Sequence, residues 1–322
     1  MNDHPYTFLQ AVPRGSKVEK HHHVVYSQRW RYLLAGLGMT GMASLGASIY
    51  LRRWRWAQRL VASMIGVGVA GGVQALSGIW RLQIERHTLQ LPLWNPQING
   101  LRVAQLSDLH LRKTYAEFVL RRALHAVHDF QPDIIFLTGD YLYHADDLPL
   151  LREMLQGIRA PLGVFAILGN HDYWDNPAEI AGVLHELGIS VLINEHRVVT
   201  WRDADFIVAG VADPWQADAD LDRALSDAPR DLPIILLAHG PDFITTAQAH
   251  GVALQLSGHA HAGHINLPWF GPYVLPRWGM EYPHGQFVVG DSYLYVSRGM
   301  GGLPIRFGAL PEVGLLTLVQ KE

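Results

Sequence analysis

The chain has 322 residues, of which 49% are hydrophobic and 17% charged, so it contains a large core or a core together with membrane segments. A formal net charge of −3 gives no argument for a nucleic-acid-binding protein. The absence of cysteine excludes disulfides and thiolate metal sites, and the 18 histidines make the placement of imidazole groups important.

The N-terminal part of the chain consists of a polar tail, residues 1–31, and two uncharged stretches within residues 32–80. The stretches cover 32–51 and 60–80, and each has about 20 residues, the length of a helix that crosses a bilayer. An arginine-rich connector separates them, and Gly68 and Gly72 form a small-xxx-small pair suited to helix packing in lipid. Aromatic residues mark the ends like an interfacial belt: Trp30, Tyr32, Tyr50, Trp54, Trp56 and Trp80. We predict a transmembrane helical hairpin, with a buried hairpin of a soluble protein as the alternative.

The orientation of this hairpin in the membrane is not decided by charge. Both flanks lie on the same side, so the main domain shares a side with the N-terminus. Arginine and lysine occur in the connector and in both flanks, and the positive-inside rule does not separate them. Our hypothesis is an inner (cytoplasmic) membrane protein whose main domain faces the cytoplasm.

Residues 81–100, which contain prolines, are predicted to link the hairpin to a main domain over 101–322. The first part of this domain alternates apolar strand patterns with helix patterns. Strands are predicted at 101–106, 133–137 and 164–167, with helices at 115–130 and 148–157 between them. For the first helix, the apolar positions Phe118, Leu120, Leu124 and Val127 indicate a buried face. Strand–helix alternation predicts a layered α/β domain, followed by shorter strands and a mostly strand-like segment over 286–318.

Polar residues of metal-ligand type follow five of the predicted strands. They are Asp108 and His110, Asp140, Asn170 and His171, His239, and His259 and His261. The strand ends of an α/β sheet meet at one crevice, so these side chains are expected to lie together. Carboxylate, amide and imidazole ligands suit Mn²⁺, Fe or Zn²⁺ better than an all-oxygen Mg²⁺ or Ca²⁺ site. Their number exceeds the needs of one tetrahedral ion and suits two ions about 3.5–4 Å apart.

These blocks, Asp-x-His, Gly-Asp, Gly-Asn-His-Asp, a single His and Gly-His-x-His, occur in an order that resembles the calcineurin-like metallophosphoesterase family. The resemblance covers about residues 101–318 and implies an α/β/β/α sandwich. Residues 257–264 and 294–308 resemble a membrane-associated bacterial branch of the family. Some members of that branch act on lipid precursors, including UDP-diacylglucosamine.

The resemblance implies a role for each of these residues. Asp108, His110 and His261 would bind one ion. Asn170, His239 and His259 would bind the other. Asp140 would bridge both, and the ions are expected to be Mn²⁺, with Fe or Zn²⁺ as alternatives.

The other polar residues of these blocks receive catalytic or substrate-binding roles. His171 would not bind metal and would donate a proton to the leaving oxygen. Asp172 would orient His171 or act only as a turn residue. Gly169 would be the hinge that lets Asn170 and His171 face the crevice. His264 stands where the branch usually has Gln and is expected to contact substrate. Arg298 and Arg306 are candidate phosphate clamps, although a structural ion pair is equally compatible with each.

The predicted activity is hydrolysis of phosphate ester or pyrophosphate bonds by a hydroxide that two metal ions activate. The membrane hairpin indicates a substrate that is a membrane lipid or lipid precursor such as UDP-diacylglucosamine. A general phosphodiesterase without lipid specificity, and a catalytically silent membrane scaffold or sensor, remain as alternatives. The bilayer and a phosphorylated substrate are the expected partners, nucleic acid is not, and the oligomeric state is left open.

Overall fold

The computed structural model describes residues 5–6, 8–11, 25–26 and 55–321. Within them the α-helices are α1 Arg55–Gly78, α2 Tyr115–Phe130, α3 Leu148–Leu155, α4 Asn170–Trp174, α5 Pro177–Glu186, α6 Leu221–Ala224 and α7 Ile244–Ala249. The first eight strands are β1 Val25–Tyr26, β2 Gln83–Leu91, β3 Leu101–Leu106, β4 Ile134–Thr138, β5 Val164–Ile167, β6 Ser190–Val191, β7 Glu195–Trp201 and β8 Ala204–Gly210. The others are β9 Ile234–Leu237, β10 Leu254–Ser257, β11 Asn266–Leu267, β12 Gly271–Pro272, β13 Val274–Leu275, β14 Gly285–Val289, β15 Ser292–Val296 and β16 Glu312–Gln320.

Two six-stranded sheets form the centre of the domain. The first has the order β2-β16-β3-β4-β5-β6, and its strands β3 to β6 run parallel. The second has the order β14-β15-β10-β9-β8-β7, with β15, β10, β9 and β8 parallel to one another. The carboxyl ends of the parallel strands of each sheet therefore lie at one edge, where loops carry functional residues.

The two sheets pack face to face, and each is covered by helices on its outer face. In β4, Phe136 lies in the core between the sheets, while its neighbour Leu137 joins the cluster that contains Leu120 of α2 and Leu151 of α3. In β9, Leu237 faces the first sheet, whereas Leu236 packs on the outer side with Ile244 of α7. This alternation buries both faces of the central strands, and the resulting order of layers confirms the predicted α/β/β/α sandwich.

The predicted linker over residues 81–100 contains β2, which pairs in parallel with the whole of β16. Most of β2 is exposed or half-buried, and among its residues only Leu89 and Leu91 are fully buried. An edge strand with one short apolar end gives a weak hydrophobic pattern, which explains why the sequence predicts no strand there.

Of the two predicted membrane spans, the second coincides with α1, while residues 32–51 lie outside the described part of the chain. The segment Gln58–Gly78 is long and apolar enough to cross a membrane. Only 6% of its most apolar 18-residue stretch is buried. The end of α1 and the residue after it contact the domain through Ala75 and Ile79, which are buried. Beside it, Phe118 is 46% exposed and packs against Trp80, so Phe118 does not belong to the buried face predicted for α2.

Candidate metal centre

The predicted ligands come together between the two sheets. Asp108, His110, Asp140 and Asn170 follow β3, β4 and β5 of the first sheet, and the others follow β9 and β10 of the second. Because the sheets pack face to face with these strand ends at the same edge, five loops from two sheets surround one cleft. The sequence predicts the convergence of the strand ends, and their division between two sheets is a feature of the tertiary structure.

Two groups of side chains in this cleft have the spacing of metal ligands. In the first group, His261 Nε2 lies 3.3 Å from Asp108 Oδ1 and 3.2 Å from His110 Nε2. In the second group, which also includes His259, His239 Nε2 lies 3.3 Å from Asp140 Oδ2. The same Asp140 oxygen is 3.5 Å from His110 Nε2 of the first group. Asp140 therefore lies between the two groups.

The orientations of the buried side chains fit metal ions. His239 Nδ1 lies 2.7 Å from the carbonyl oxygen of Thr138, and His259 Nε2 lies 2.6 Å from that of Arg277. Each ring can donate a proton to a carbonyl, so the other nitrogen of each ring is the one that would coordinate a metal ion. Asn170 Oδ1 is buried without a hydrogen-bond partner among the described residues, as expected for an oxygen that binds a cation.

Burial and charge set the protonation states that metal binding needs. Burial lowers the pKa of His110 and of His259 to about 3, so both rings are neutral at physiological pH. Burial alone would raise the pKa of Asp140, but the neighbouring His239 and His171 hold it well below its usual range. Neutral imidazoles beside an ionised carboxylate are the forms that coordinate divalent metals.

Several of these residues adopt a backbone conformation that side chains rarely take. Left-handed φ angles occur at 50° in Asp108, 37° in His110, 58° in Asp140, 71° in His259 and 50° in His261. Such conformations cost about 1–3 kcal/mol each and concentrate at functional sites. Their clustering here indicates that packing elsewhere in the fold offsets the cost of these conformations around the cleft. No sequence pattern predicts the conformations.

Gly169 does not act as the predicted hinge. Its φ of −101° and ψ of 177° are extended values that any residue adopts. The need for glycine comes from close packing, because a Cβ at this position would collide with Asp140 Oδ1 and would lie 2.8 Å from the His239 ring. Gly169 therefore makes room for two predicted ligands.

His171 lines the cleft beside the first group of ligands. Its backbone N–H donates to Asp140 Oδ1 at 2.9 Å, and its ring centroid is 4.6 Å from that of His110. A nitrogen of His171 is also close enough to His110 and Asp140 to complete a three-residue metal group. The geometry is compatible with the predicted proton donor and with an additional ligand.

The side chain of Asp172 bonds to backbone groups of two loops. Its Oδ2 accepts hydrogen bonds from the backbone N–H groups of Asp140 and Gly169, both at 2.8 Å, and its Oδ1 accepts one from Tyr141 at 2.9 Å. Burial and the charge of Asp140 raise the pKa of Asp172 to about 8, against the effect of these donors. These bonds favour the structural alternative for Asp172, in which its carboxyl group joins the loops after β4 and β5, while the orienting role stays a prediction.

Neither predicted phosphate clamp lines the cleft. Arg298 forms ion pairs with Glu85 of β2 and Glu312 of β16, and its side chain is 12% exposed. Arg306 is fully buried, and its guanidinium donates to backbone carbonyls, including those of Arg298 at 2.9 Å and Ala309 at 3.1 Å. The partners of both guanidinium groups lie inside the domain, which favours the structural alternative for each arginine.

Arg306 instead supports the metal site, a role that sequence reasoning missed. Its Nη2 lies 3.1 Å from His261 Nδ1, on the side of the ring away from Asp108 and His110. The guanidinium therefore fixes the ring of a predicted ligand from behind. Since His261 lies 45 positions earlier in the chain, no local pattern could have assigned this role.

The cleft has a volume of about 280 Å³ and a mixed lining. His264, predicted to contact substrate, faces it and stacks on His261 with ring centroids 4.5 Å apart. Trp174 and Trp215 form an aromatic wall near His171 and His259. The other lining residues include Tyr143, Ala260, Val274, Pro276, Gly302 and Leu303. Trp215, which comes from the loop after β8, was not among the residues predicted from the sequence.

The fold and the paired ligand groups together define a binuclear phosphoesterase, and the chain belongs to the calcineurin-like phosphoesterase family, whose model matches residues 101–263. This confirms the family resemblance and makes the protein a metal-dependent phosphoester hydrolase of a family that uses two divalent metal ions.

Individual relatives cover most of the chain. Metallophosphoesterase YkuE of Bacillus subtilis, whose activity is uncharacterised, is 31% identical over 81% of this chain and 96% of its own length. The UDP-2,3-diacylglucosamine pyrophosphatase LpxG of Chlamydia trachomatis is 27% identical over 88% of this chain and 98% of its own length. A transmembrane protein with a metallophosphoesterase domain from Danio rerio is 32% identical over 69% of this chain and 54% of its own length.

Proposed function

We propose that this protein is a membrane-associated hydrolase that cleaves a phosphoester or pyrophosphate bond of a lipid or lipid precursor at a two-metal centre. The observation that carries the proposal is the position of Asp140 between two groups of buried ligands. A carboxylate shared by two ions is the arrangement that holds them about 3.5–4 Å apart.

Each ion has its own set of ligands in this proposal. Asp108, His110 and His261 hold one ion, and Asn170, His239 and His259 hold the other, as the family resemblance implies. Mn²⁺ suits this set of nitrogen and oxygen ligands, with Fe and Zn²⁺ as alternatives. When bound, the ions neutralise phosphate oxygens and lower the pKa of a water molecule to near neutrality.

The chain itself supplies proton transfer and positioning. His171 lies at the cleft beside both ligand groups, where its imidazole donates a proton to the leaving oxygen. Asp172 fixes the backbone of Asp140, and Arg306 fixes the ring of His261. The cleft walls, with Trp174 and Trp215 on one side, limit the entry of water around the phosphate.

A membrane-associated substrate is the finer part of the proposal. Its support is an exposed apolar helix, α1, of sufficient length to cross a bilayer, and the name of the chlamydial relative, a UDP-2,3-diacylglucosamine pyrophosphatase. We assign UDP-diacylglucosamine or a related lipid precursor as substrate, in an inner membrane, with the domain facing the cytoplasm. A general phosphodiesterase would differ in showing no preference for substrates with acyl chains.

The test uses the full chain purified in detergent, stripped of metal and then supplied with Mn²⁺. We expect hydrolysis of bis(p-nitrophenyl) phosphate that depends on Mn²⁺. Asp140→Ala should lower kcat by about 1,000-fold, because the truncation leaves two cations without their shared carboxylate. This is roughly the effect of removing a main electrostatic element of an active site. Asp291→Ala, in the exposed turn between β14 and β15, is the control. Unchanged activity of Asp140→Ala would exclude the two-metal mechanism.

A further inference from the structure

The C-terminal end of α1 is bonded to a loop that also forms a wall of the cleft. The backbone N–H of Arg306 donates to the carbonyl oxygen of Ala75 at 2.9 Å, and so satisfies one of the carbonyls that a helix end leaves without a partner. The contact is close, because a Cβ at Gly78 would collide with the carbonyl oxygen of Arg306. The last turn of α1 is therefore held against the domain.

The same loop reaches the cleft within four residues of this contact. Gly302 and Leu303 line the cleft, and the Gly302 carbonyl accepts a hydrogen bond from the Tyr115 hydroxyl at 2.7 Å. Tyr115 in turn packs against Ile79, just after α1. Four extended residues span at most about 14 Å, so the mouth of the cleft lies next to the end of the helix.

Large exposed apolar side chains surround this junction. Trp80 is 47% exposed, Phe118 46%, and Leu303 49%. Trp269, at 90%, lies in the hairpin between β11 and β12, which is bonded to the loop through Asn266 N–H and the Phe307 carbonyl at 2.7 Å. We call these four side chains, Trp80, Phe118, Leu303 and Trp269, the apolar rim.

The depth of the rim follows from the length of α1. The 21 residues of Gln58–Gly78 would extend about 31 Å, which matches the hydrocarbon thickness of a bilayer. Ala75 belongs to this segment and contacts Arg306, so the neighbouring rim lies at the level of the last helical turn. Tryptophan prefers this boundary between hydrocarbon and headgroups. The guanidinium of Arg122, 5.8 Å from the Phe118 ring centroid, suits an anionic headgroup there.

We propose that the apolar rim is a second membrane contact, which seats on the boundary between headgroups and acyl chains and opens the cleft onto the membrane surface. The membrane contact has a consequence for catalysis, which rests on the proposed function. The phosphate of an amphiphilic substrate reaches the metal centre while its hydrocarbon chains stay in the bilayer. The occupant of the rim is the lipid bilayer, because the rim is continuous with the end of the apolar helix.

Depth measurements test the contact without reference to activity. The chain has no cysteine, so single-cysteine variants of the full protein carry one label each. Trp269→Cys and Phe118→Cys are labelled with an environment-sensitive fluorophore and reconstituted in vesicles of zwitterionic and anionic phospholipid containing a brominated lipid. The control is Asp291→Cys, which directly precedes β15 at the end of that strand opposite the cleft. Quenching of both rim labels and not of the control supports the proposal, whereas rim labels as accessible to water as the control overturn it.

Kinetic measurements on matched substrates test the consequence. Trp269→Asp and Phe118→Asp are assayed with a soluble diester and with a long-chain phosphoester presented in vesicles. We expect unchanged kcat/KM on the soluble diester and a decrease of about tenfold on the vesicle substrate, since a charge is placed at the membrane boundary. Equal activity of wild type and variants on vesicles overturns the consequence. If the wild type cleaves neither substrate, the proposed function fails, and the labels still decide the membrane contact.

Discussion

Replacing Asp172 by asparagine separates a structural carboxylate from a catalytic one. The two oxygens of Asp172 accept three backbone N–H bonds, from Asp140, Tyr141 and Gly169. An asparagine amide has one acceptor oxygen, so in either orientation at least one buried N–H faces an NH₂ group. Losing a hydrogen bond and leaving a buried donor unpaired costs about 2–4 kcal/mol. We expect this decrease in the free energy of unfolding for Asp172→Asn.

The consequence for the site is weaker metal binding, because the backbone of Asp140 loses the group that holds it. The assay combines thermal unfolding with titration of Mn²⁺ into metal-free protein, and we expect a dissociation constant raised about 10–100-fold, the usual effect of removing a partner that orients a ligand. At saturating Mn²⁺ most of the rate should return.

Asp133→Asn is the matched control for this experiment. Asp133 Oδ2 accepts the backbone N–H of Arg102 at 2.8 Å, at the end of β3 and β4 opposite the cleft. It should lower stability and leave Mn²⁺ affinity unchanged. A normal stability and metal affinity for Asp172→Asn, with a low rate and an altered pH profile, would refute the structural role and restore Asp172 as the partner of His171.

Three further outcomes are expected. His171→Asn should lower kcat about 100–10,000-fold while both metals stay bound, as measured by elemental analysis; loss of one metal would make His171 a ligand. Burial alone would lower the pKa of His239, but Asp140 raises it well above its ordinary value, so metal binding must displace this proton. Calorimetric titration in buffers of different ionisation enthalpy should detect about one released proton, with Mn²⁺ affinity falling as the pH falls, and a pH-independent affinity would contradict this. Glu312→Ala should destabilise the protein by about 3 kcal/mol, because it removes a buried carboxylate that pairs with the largely buried Arg298, without changing KM for a soluble diester; a raised KM would indicate that Arg298 contacts phosphate.

The sequence by itself determined the chemistry available in the cleft. Asp108, Asp140 and His239 each follow an apolar run that forms a buried strand, and the apolar pattern of such a strand is local in the chain. The type of side chain, carboxylate or imidazole, fixes which metals it suits. Both properties can be determined from the sequence without knowledge of tertiary contacts, so the layered fold and the family were predictable. The strand β2, an edge strand with little buried surface, was not.

The tertiary structure decided which polar residues support the site and which face substrate. Asp172 accepts N–H groups from residues 31 and 32 positions earlier, and Arg298 pairs with Glu85, 213 positions away. Arg306 was a candidate phosphate clamp because its guanidinium matches phosphate oxygens, but its backbone contacts Ala75 of α1 and its side chain contacts His261. Burial and hydrogen-bond partners arise when distant segments pack, so the role of a charged side chain is settled by its neighbours in space.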